Sequence, residues 1–176
     1  MFNLINLSQV RQEMTDEVNE DVRKNSYYKS PRLNAVGLLA YPGALRSAVT
    51  SGTPDSFSKN FSMINFSQTE QRNRPNGGVT TAKVPDGANA TLCEGEFNRY
   101  YIRGVCLKAL LLGNTFVVAY RARHSDNPRQ ESVLLEEKQI DAAKLLADLR
   151  RDGWVDKAMG LPPGPNSGMS AKLMGS

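Results

Sequence analysis

Apolar residues are concentrated in one stretch of this 176-residue chain, and that uneven distribution limits its possible folds more than any motif does. Between residues 92 and 149 apolar positions recur at helix or strand spacing, whereas residues 25–90 are rich in Pro, Gly, Ser, Thr and Asn. Periodic apolar faces build hydrophobic cores, so we expect one compact unit over residues 91–153. Because structureless loops longer than about 15 residues are rare inside domains, residues 25–90 are predicted to form a long extended arm.

The first helix of this unit is predicted to be its buried centre. Thr91 and Glu94 have the spacing of a capping box, and Gly113 suits the left-handed residue that ends a helix. The apolar positions that recur at helical spacing are Phe97, Tyr101, Val105, Ala109 and Leu112. Their neighbours Ile102, Cys106 and Leu110 widen the stripe, so little of the helix surface is polar.

Two strands and a second helix are expected to complete the unit. Residues 115–123 alternate β-branched and aromatic side chains, which predicts a strand with one buried face and one face that becomes basic toward its end. Residues 132–138 are a second strand candidate, and the last helix is expected to begin at the N-cap Asp141 and to end at Gly153. Because a two-stranded sheet is too small to stand alone, it must gain strands from the arm or from another subunit.

Residues 1–24 are predicted to contain an amphipathic N-terminal helix. Its narrow apolar stripe consists of Leu7, Val10, Met14, Val18 and Val22. Asn6 and Gln9 have the spacing of a capping box, which places the start of the helix at residue 6. A helix with one thin stripe suits docking on another surface better than the centre of a core.

Three short elements are predicted inside the arm. One is a helix at about 43–50, and two are extended pieces at 61–66 and 79–84. The Asn76-Gly77-Gly78 run between the extended pieces is a strong turn signal and favours a hairpin.

The predicted fold class is therefore α+β: a small helix-strand-strand-helix unit with an N-terminal helix and a long irregular extended arm. Residues 154–176 form a Pro/Gly-rich C-terminal tail that is too poor in apolar residues to fold alone. No stretch is long and apolar enough to suggest a membrane span, and the N-terminus lacks the pattern of a secretory signal.

Cysteine and histidine are too scarce to suggest a metal or redox centre. Cys93 and Cys106 are thirteen residues apart, which on a helix is about 20 Å, so both are predicted to be reduced thiols in a cytoplasmic product. The single histidine, His124, is expected in an exposed polar turn beside Asp126. No zinc-ligand cluster and no glycine-rich phosphate loop is present, and no metal or cofactor is predicted.

One short acidic pattern raises a catalytic alternative. Asp126, Glu136 and Lys138 resemble in spacing the carboxylate and lysine set that metal-dependent nucleases use to hold a divalent ion and position a water. The pattern is short and common, and a charged strand end leading into a helix explains it equally.

Positive charge is concentrated between residues 31 and 123 of a chain whose net charge is +4. Cations that alternate with tyrosines are typical of single-stranded nucleic-acid sites, and they also suit an acidic protein surface. The candidate contact residues are Arg99, Arg103, Lys108, Arg121 and Arg123.

More residues belong to the predicted arm and tail than to the compact unit. This proportion predicts a non-enzymatic structural subunit of a large assembly. The expected partners are other subunits of a homo- or hetero-oligomeric particle, and a bacteriophage-type virion component (capsid-associated, connector or tail protein) is the predicted example. The alternatives are a small nucleic-acid-binding protein that uses the Arg/Tyr cluster, and a metal-dependent nuclease.

Overall fold

The computed structural model describes residues 2–162 and 167–175 and shows a mixed α+β fold, as predicted. Within those residues the chain forms seven α-helices, one 3₁₀ turn at Met63–Asn65 and five strands. The helices are α1 Arg11–Lys24, α2 Ala35–Ser51, α3 Pro54–Asn60, α4 Ala88–Leu111, α5 Gln130–Leu135, α6 Ala142–Arg151 and α7 Val155–Ala158. The strands are β1 Thr69–Asn73, β2 Val79–Lys83, β3 Phe116–Arg121, β4 Gln139–Asp141 and β5 Met169–Lys172.

Helix α4 is the buried centre of the fold, which confirms the main prediction from the apolar pattern. Its side chains are buried from Leu92 to Ala109 with few interruptions, and Gly113 follows it with a φ of 78°. The predicted capping box is wrong. The helix begins at Ala88, and the Thr91 hydroxyl donates to the Gly87 carbonyl from inside the first turn.

Helix α1 packs directly on α4, so it belongs to the core. Val10, Met14 and Val18 of the predicted stripe are fully buried. Gly104 of α4 allows the close approach, because a Cβ there would lie 2.8 Å from Met14 Cγ and 3.1 Å from the Val10 carbonyl oxygen. The helix starts at residue 11 and not at residue 6: the Asn6 side chain instead accepts a hydrogen bond from the Leu173 backbone amide, at 2.9 Å.

The predicted long arm is not confirmed, since α2 and α3 pack against α4, whereas the β1–β2 hairpin is largely exposed. Helix α2 extends well beyond the predicted 43–50 segment and continues through Pro42. Aromatic rings from α2, α3 and the 3₁₀ turn region pack with centroid separations between 5.5 and 6.2 Å. These rings are Tyr41, Phe57, Phe61 and Phe66. Tyr41 lies on α2, Phe57 and Phe61 on α3 and at its end, and Phe66 after the 3₁₀ turn, so no single helical or strand pattern contains all four rings.

The predicted hairpin exists with a different first strand. Strand β2 pairs antiparallel with β1, and the turn between them contains Gly77 and Gly78, both with positive φ. The expected extended piece at 61–66 is wrong, because its middle three residues, Met63–Asn65, form the 3₁₀ turn.

A three-stranded antiparallel sheet in the order β4-β3-β5 covers part of α4 and α6. The predicted strand at 132–138 is wrong: most of it is α5, and β4 follows as a three-residue strand. The third strand comes from the tail, where Ala171 of β5 pairs with Ala119 of β3 and both are fully buried. The sheet is thus completed within the chain. The predicted cap of α6 is confirmed, since the Asp141 carboxylate accepts from the Lys144 amide at 2.8 Å.

None of the helices in residues 2–162 and 167–175 combines the length and the apolar character needed to cross a bilayer.

Candidate functional site

The two arginines predicted to lead the contact surface lie inside the protein. Arg99 and Arg103 on α4 are 4% and 2% exposed. They share a helix face, as their spacing predicts, but that face points to α1 and α6. Both are therefore core residues in this fold and not surface contacts.

Buried carboxylates on α1 neutralise these arginines. The Arg103 side chain donates to Glu17 Oε2 at 2.6 Å and to Asp21 Oδ2 at 2.5 Å. Arg150 of α6 also binds Glu17, so one carboxylate joins three helices. The Tyr100 hydroxyl donates to Asp21 Oδ2 at 2.8 Å. We name these side chains, together with Arg99, the α1–α4–α6 ion-pair network.

The network keeps its carboxylates ionised. Burial by itself raises the pKa of Glu17, but hydrogen bonds and charge from Arg150 and Arg103 outweigh it, so the pKa lies below its ordinary value. The pKa of Asp21 is lowered in the same way: burial opposes the shift, and Arg103 and Tyr100 overcome it.

The other three candidate contact residues lie nearer the surface, each beside a carboxylate. Lys108 Nζ is 3.1 Å from Glu13, Arg121 Nη2 is 2.7 Å from Glu136, and Arg123 Nη1 is 2.8 Å from Glu94. Arg121 and Arg123 line a polar pocket of about 220 Å³ that also contains His124 and Arg129. Two of these three cations, Arg121 and Arg123, thus line one small cavity, and Lys108 lies outside it.

The nuclease pattern is not assembled. Asp126 is exposed and lies 3.1 Å from His124, whereas Glu136 binds Arg121. Among the residues that the structure describes, no three metal-ligating side chains come together. His124 is an exposed turn residue, as predicted.

Both cysteines are buried free thiols, as predicted from their spacing. Burial, with a smaller contribution from Glu94 and Glu96, raises the pKa of Cys93 to about 12. Burial likewise raises the pKa of Cys106 above its ordinary value. Both thiols are therefore protonated at neutral pH and are poor nucleophiles.

A cleft of about 490 Å³ opens beside the first half of α4, and we call it the Glu96 cleft. Leu92 and Glu96 of α4 form one side of the cleft. Trp154, the residue before α7, and Val155, the first residue of α7, form another side. Tyr28 and Arg32 of the α1–α2 loop line it as well. Mostly apolar clefts of this size with a few convergent polar groups are typical of small-ligand sites.

Glu96 is the group in this cleft whose hydrogen bonding is incomplete. It is 6% exposed, and its Oε2 accepts no hydrogen bond from the residues described. Arg99 Nη2 lies 3.2 Å from Glu96 Oε2 and forms an ion pair with it, and the same nitrogen also donates to the Tyr100 hydroxyl. Burial raises the pKa of Glu96, although the positive charges of Arg99 and Arg103 oppose that shift.

The second unusual surface is the outer side of α2. Val36, Leu39 and Ala40 are exposed there, and Ile64 of the 3₁₀ turn lies on the neighbouring element. We call these residues, with Gly43 one turn further on, the α2 face. Leu39 and Ile64 are 84% and 79% exposed.

Sequence reasoning missed both sites, although each has a sequence signal. Glu96 is an acidic residue four positions after Leu92 and one before Phe97, on a helix predicted to be buried. Trp154 is the single tryptophan of the chain. Helix α2 contains one charged residue, Arg46, in 17 positions, which is unusual for a helix with an exposed side.

Comparison with known proteins finds no matching family model, and no characterised protein or solved structure with significant similarity to the chain.

Proposed function

We propose that this chain is a non-enzymatic structural subunit of a larger protein assembly and that it contacts a second copy of itself through the α2 face. The observation that carries the proposal is the exposure of large apolar side chains on a helix that has only one charge. Contiguous exposed apolar surface of this kind is typical of protein–protein contacts.

The composition of the α2 face favours self-contact. It carries no acidic group, and Arg46 lies toward the C-terminal end of the helix. When two such helices pack antiparallel, each Arg46 lies near the N-terminal part of the other helix, so the two like charges stay apart. Ala40 and Gly43 have small side chains, which allow two helix backbones to approach closely in an isologous contact.

A second exposed apolar patch supports an assembly with more than one contact. Leu111 and Leu112 at the end of α4 are well exposed, and Phe116 at the start of β3 is partly so. Leu111 is 15 residues beyond Glu96 on the same helix, a distance of about 22 Å. The patch therefore lies away from α2, whose Tyr41 is close to Glu96.

The virion component predicted above depended on the proportion of arm to folding unit. Most of residues 25–66 pack into the core, so the proportion of arm to folding unit no longer favours one kind of particle. The proposal concerns assembly through apolar surfaces, without a commitment to the particle.

The test is the oligomeric state of the purified full-length chain by size-exclusion chromatography with light scattering. We expect the wild-type chain to self-associate and Leu39→Glu to reduce it to monomers. Leu134→Glu is the matched control, because Leu134 is also an exposed leucine but lies on α5. A monomeric wild-type chain, or a Leu39→Glu variant that associates like wild type, would overturn the proposal.

Nucleic-acid binding is the second candidate, favoured by the grouping of Arg121, Arg123 and Arg129 with His124 around one pocket. It involves fewer cations than the sequence indicated, because Arg99 and Arg103 are buried. Binding to single-stranded DNA that weakens steeply with salt and is lost in Arg123→Ala would support it. Lys108→Ala, which lies outside the pocket, is the control.

A further inference from the structure

We propose that the outer edge of strand β2 binds an extended acidic segment of a partner protein, which adds to the β1–β2 hairpin as a third strand. This edge belongs neither to the α2 face nor to the polar pocket around Arg121 and Arg123. The proposal therefore goes beyond the proposed function and does not depend on self-association.

The β1–β2 hairpin projects from the rest of the fold. The two strands pair with each other, and neither packs closely on a helix or on the three-stranded sheet. No residue of either strand is buried, so both faces of the hairpin are open to solvent. A two-stranded hairpin is only marginally stable in water, and an added strand supplies the stability that it lacks.

The hydrogen bonds at the two ends of the hairpin show how its ladder alternates. The Arg74 amide donates to the Gly78 carbonyl at the turn, and the Val84 amide donates to the Gln68 carbonyl at the base, both at 3.0 Å. Bonded and non-bonded pairs alternate along an antiparallel ladder. The residues of β2 that bond to β1 are therefore those at positions 80 and 82.

The remaining residues of β2 direct their backbone groups away from β1. We call the outward amides and carbonyls of Val79, Thr81 and Lys83 the β2 edge. No hydrogen bond from elsewhere in the described chain reaches these groups, and the three side chains are exposed. An extended segment that lies along the β2 edge would pair with all of them, which is how strand addition gains its affinity.

Strand β2 lacks most of the features that protect a free edge from further pairing. Charged residues and proline commonly have that role. Strand β1 contains Glu70 and Arg72, and Pro75 follows it closely. Residues 79–82 of β2 are uncharged, include no proline and begin with three β-branched side chains, with Lys83 at the end of the strand. The β2 edge is thus the more open of the two.

Charge favours an acidic partner over a second copy of the hairpin. The strands and their turn carry one carboxylate, Glu70, and three cations, Arg72, Arg74 and Lys83. The carboxylate is neutralised, because both Arg32 and Arg72 bind it. Two such hairpins repel each other, whereas an acidic strand is attracted to the cations.

Lys83 is available to a carboxylate of the partner although it pairs with Asp86. The two side chains are 76% and 85% exposed, and exposed pairs of this kind contribute little to stability. An acidic residue opposite Lys83 on the added strand replaces Asp86 at small cost. Lys83 thereby fixes the position of the acid in the partner segment.

The probe is a rhodamine-labelled peptide, Ser-Glu-Val-Thr-Val-Thr-Ser, with blocked ends. Antiparallel to β2, its glutamate lies opposite Lys83 and its central threonine opposite Thr81. We expect saturable binding to the full-length chain in fluorescence anisotropy. N-methylation of the central threonine should weaken binding about tenfold, because that amide points to β2. N-methylation of either valine, whose amide points away, is the matched control and should leave the affinity unchanged.

Substitutions in the protein test the same edge. Thr81→Pro removes an outward amide without removing a bond to β1, so the hairpin is retained and peptide binding is lost. Gln71→Pro is the matched control, since Gln71 lies opposite Thr81 and its amide points outward from β1. It should bind the peptide like the wild type. Lys83→Glu should weaken binding of the glutamate peptide and strengthen binding of its lysine counterpart.

No saturable binding, equal binding of the two kinds of N-methylated peptide, or an unchanged affinity in Thr81→Pro would overturn the proposal. A Leu39→Glu chain that stays dimeric until Thr81→Pro is added would show that a second copy occupies the edge, which would overturn it as well. So would binding of a short DNA duplex that displaces the peptide, is lost in Arg74→Ala and persists in Thr81→Pro, because the hairpin would then be a nucleic-acid contact.

Discussion

The Arg103 guanidinium lies 2.5 Å from Asp21, although the two residues are 82 positions apart in the chain. The same guanidinium binds Glu17, so α1 and α4 are joined by charges in addition to apolar packing. Removing one member of such a group leaves buried charge without its partner, which is more costly than replacing the whole group.

Arg103→Met should destabilise the protein strongly. The substitution keeps much of the side-chain volume but leaves Glu17 and Asp21 with less positive charge, and we expect a loss of about 3–5 kcal/mol in the free energy of unfolding. Urea denaturation followed by circular dichroism measures it. Arg23→Met, which removes an exposed pair with Glu20, should leave the midpoint unchanged. Similar shifts in both variants would contradict the role assigned to the network.

The network should also make stability depend on pH in the acid range. The pKa values of Glu17 and Asp21 are lower in the folded protein than their ordinary values of about 4. The stability that they contribute is therefore complete above about pH 5 and is lost as the pH falls through the folded-state values. Urea midpoints between pH 7 and pH 3 should fall in the wild type and fall less in Arg103→Met. Parallel curves for the two proteins would argue against this assignment.

Glu96→Gln should stabilise the protein at neutral pH. Burial raises the pKa of Glu96, and the charge of Asp21 adds to the shift, although Arg99, Arg103 and a hydrogen bond with Tyr41 oppose it. The ionised form of Glu96 therefore disfavours the folded state. That penalty is absent below the unfolded-state pKa of about 4, grows as the pH rises from there toward the higher folded-state pKa, and is complete above it. We expect the melting temperature at pH 7 to rise by about 2–4 °C, the effect of about 1 kcal/mol in a domain of this size. Glu94→Gln is the control, and a lower melting temperature in Glu96→Gln would refute the prediction.

Two glycines of α4 should respond to alanine in opposite ways. At Gly104 a Cβ meets Met14 and the Val10 carbonyl, so Gly104→Ala should separate α1 from α4 and cost about 1–3 kcal/mol. At Gly95 a Cβ meets nothing within 4 Å, so Gly95→Ala should stabilise by up to about 1 kcal/mol. Thermal unfolding of the two variants side by side measures the difference. Stabilisation of both would mean that the helices are not in close contact.

Removal of β5 should unfold the sheet. The Asn98 side chain donates to the Met169 carbonyl at 2.9 Å and accepts from Ser170 Oγ at 2.7 Å, so the strand is bonded to α4 as well as to β3. A chain that ends at Gly168 should lose cooperative unfolding and become sensitive to protease. A chain that ends at Met174 should behave like the wild type. Equal protease resistance of the two would show that β5 is dispensable.

The sequence carried enough information for the elements whose apolar pattern is local. The fully buried positions of α4, the stripe of α1 and the Asp141 cap of α6 follow from side chains three or four residues apart. The turn at Gly77 and Gly78 follows from the backbone conformation that glycine allows. The sequence thereby determined the α+β class and the centre of the fold.

For the remaining residues, only the tertiary structure determined whether they are buried and which residues they contact. Arg103 looked like a surface cation because the carboxylates that neutralise it lie on α1, more than 80 positions away. The tail gave no strand signal because Ala171 is buried by pairing with Ala119 and not by its neighbours in sequence. The Glu96 cleft exists because the α1–α2 loop, strand β1 and the segment between α6 and α7 meet beside α4. Burial of a charge or of a weak strand depends on partners brought from elsewhere, and local periodicity contains no information about them.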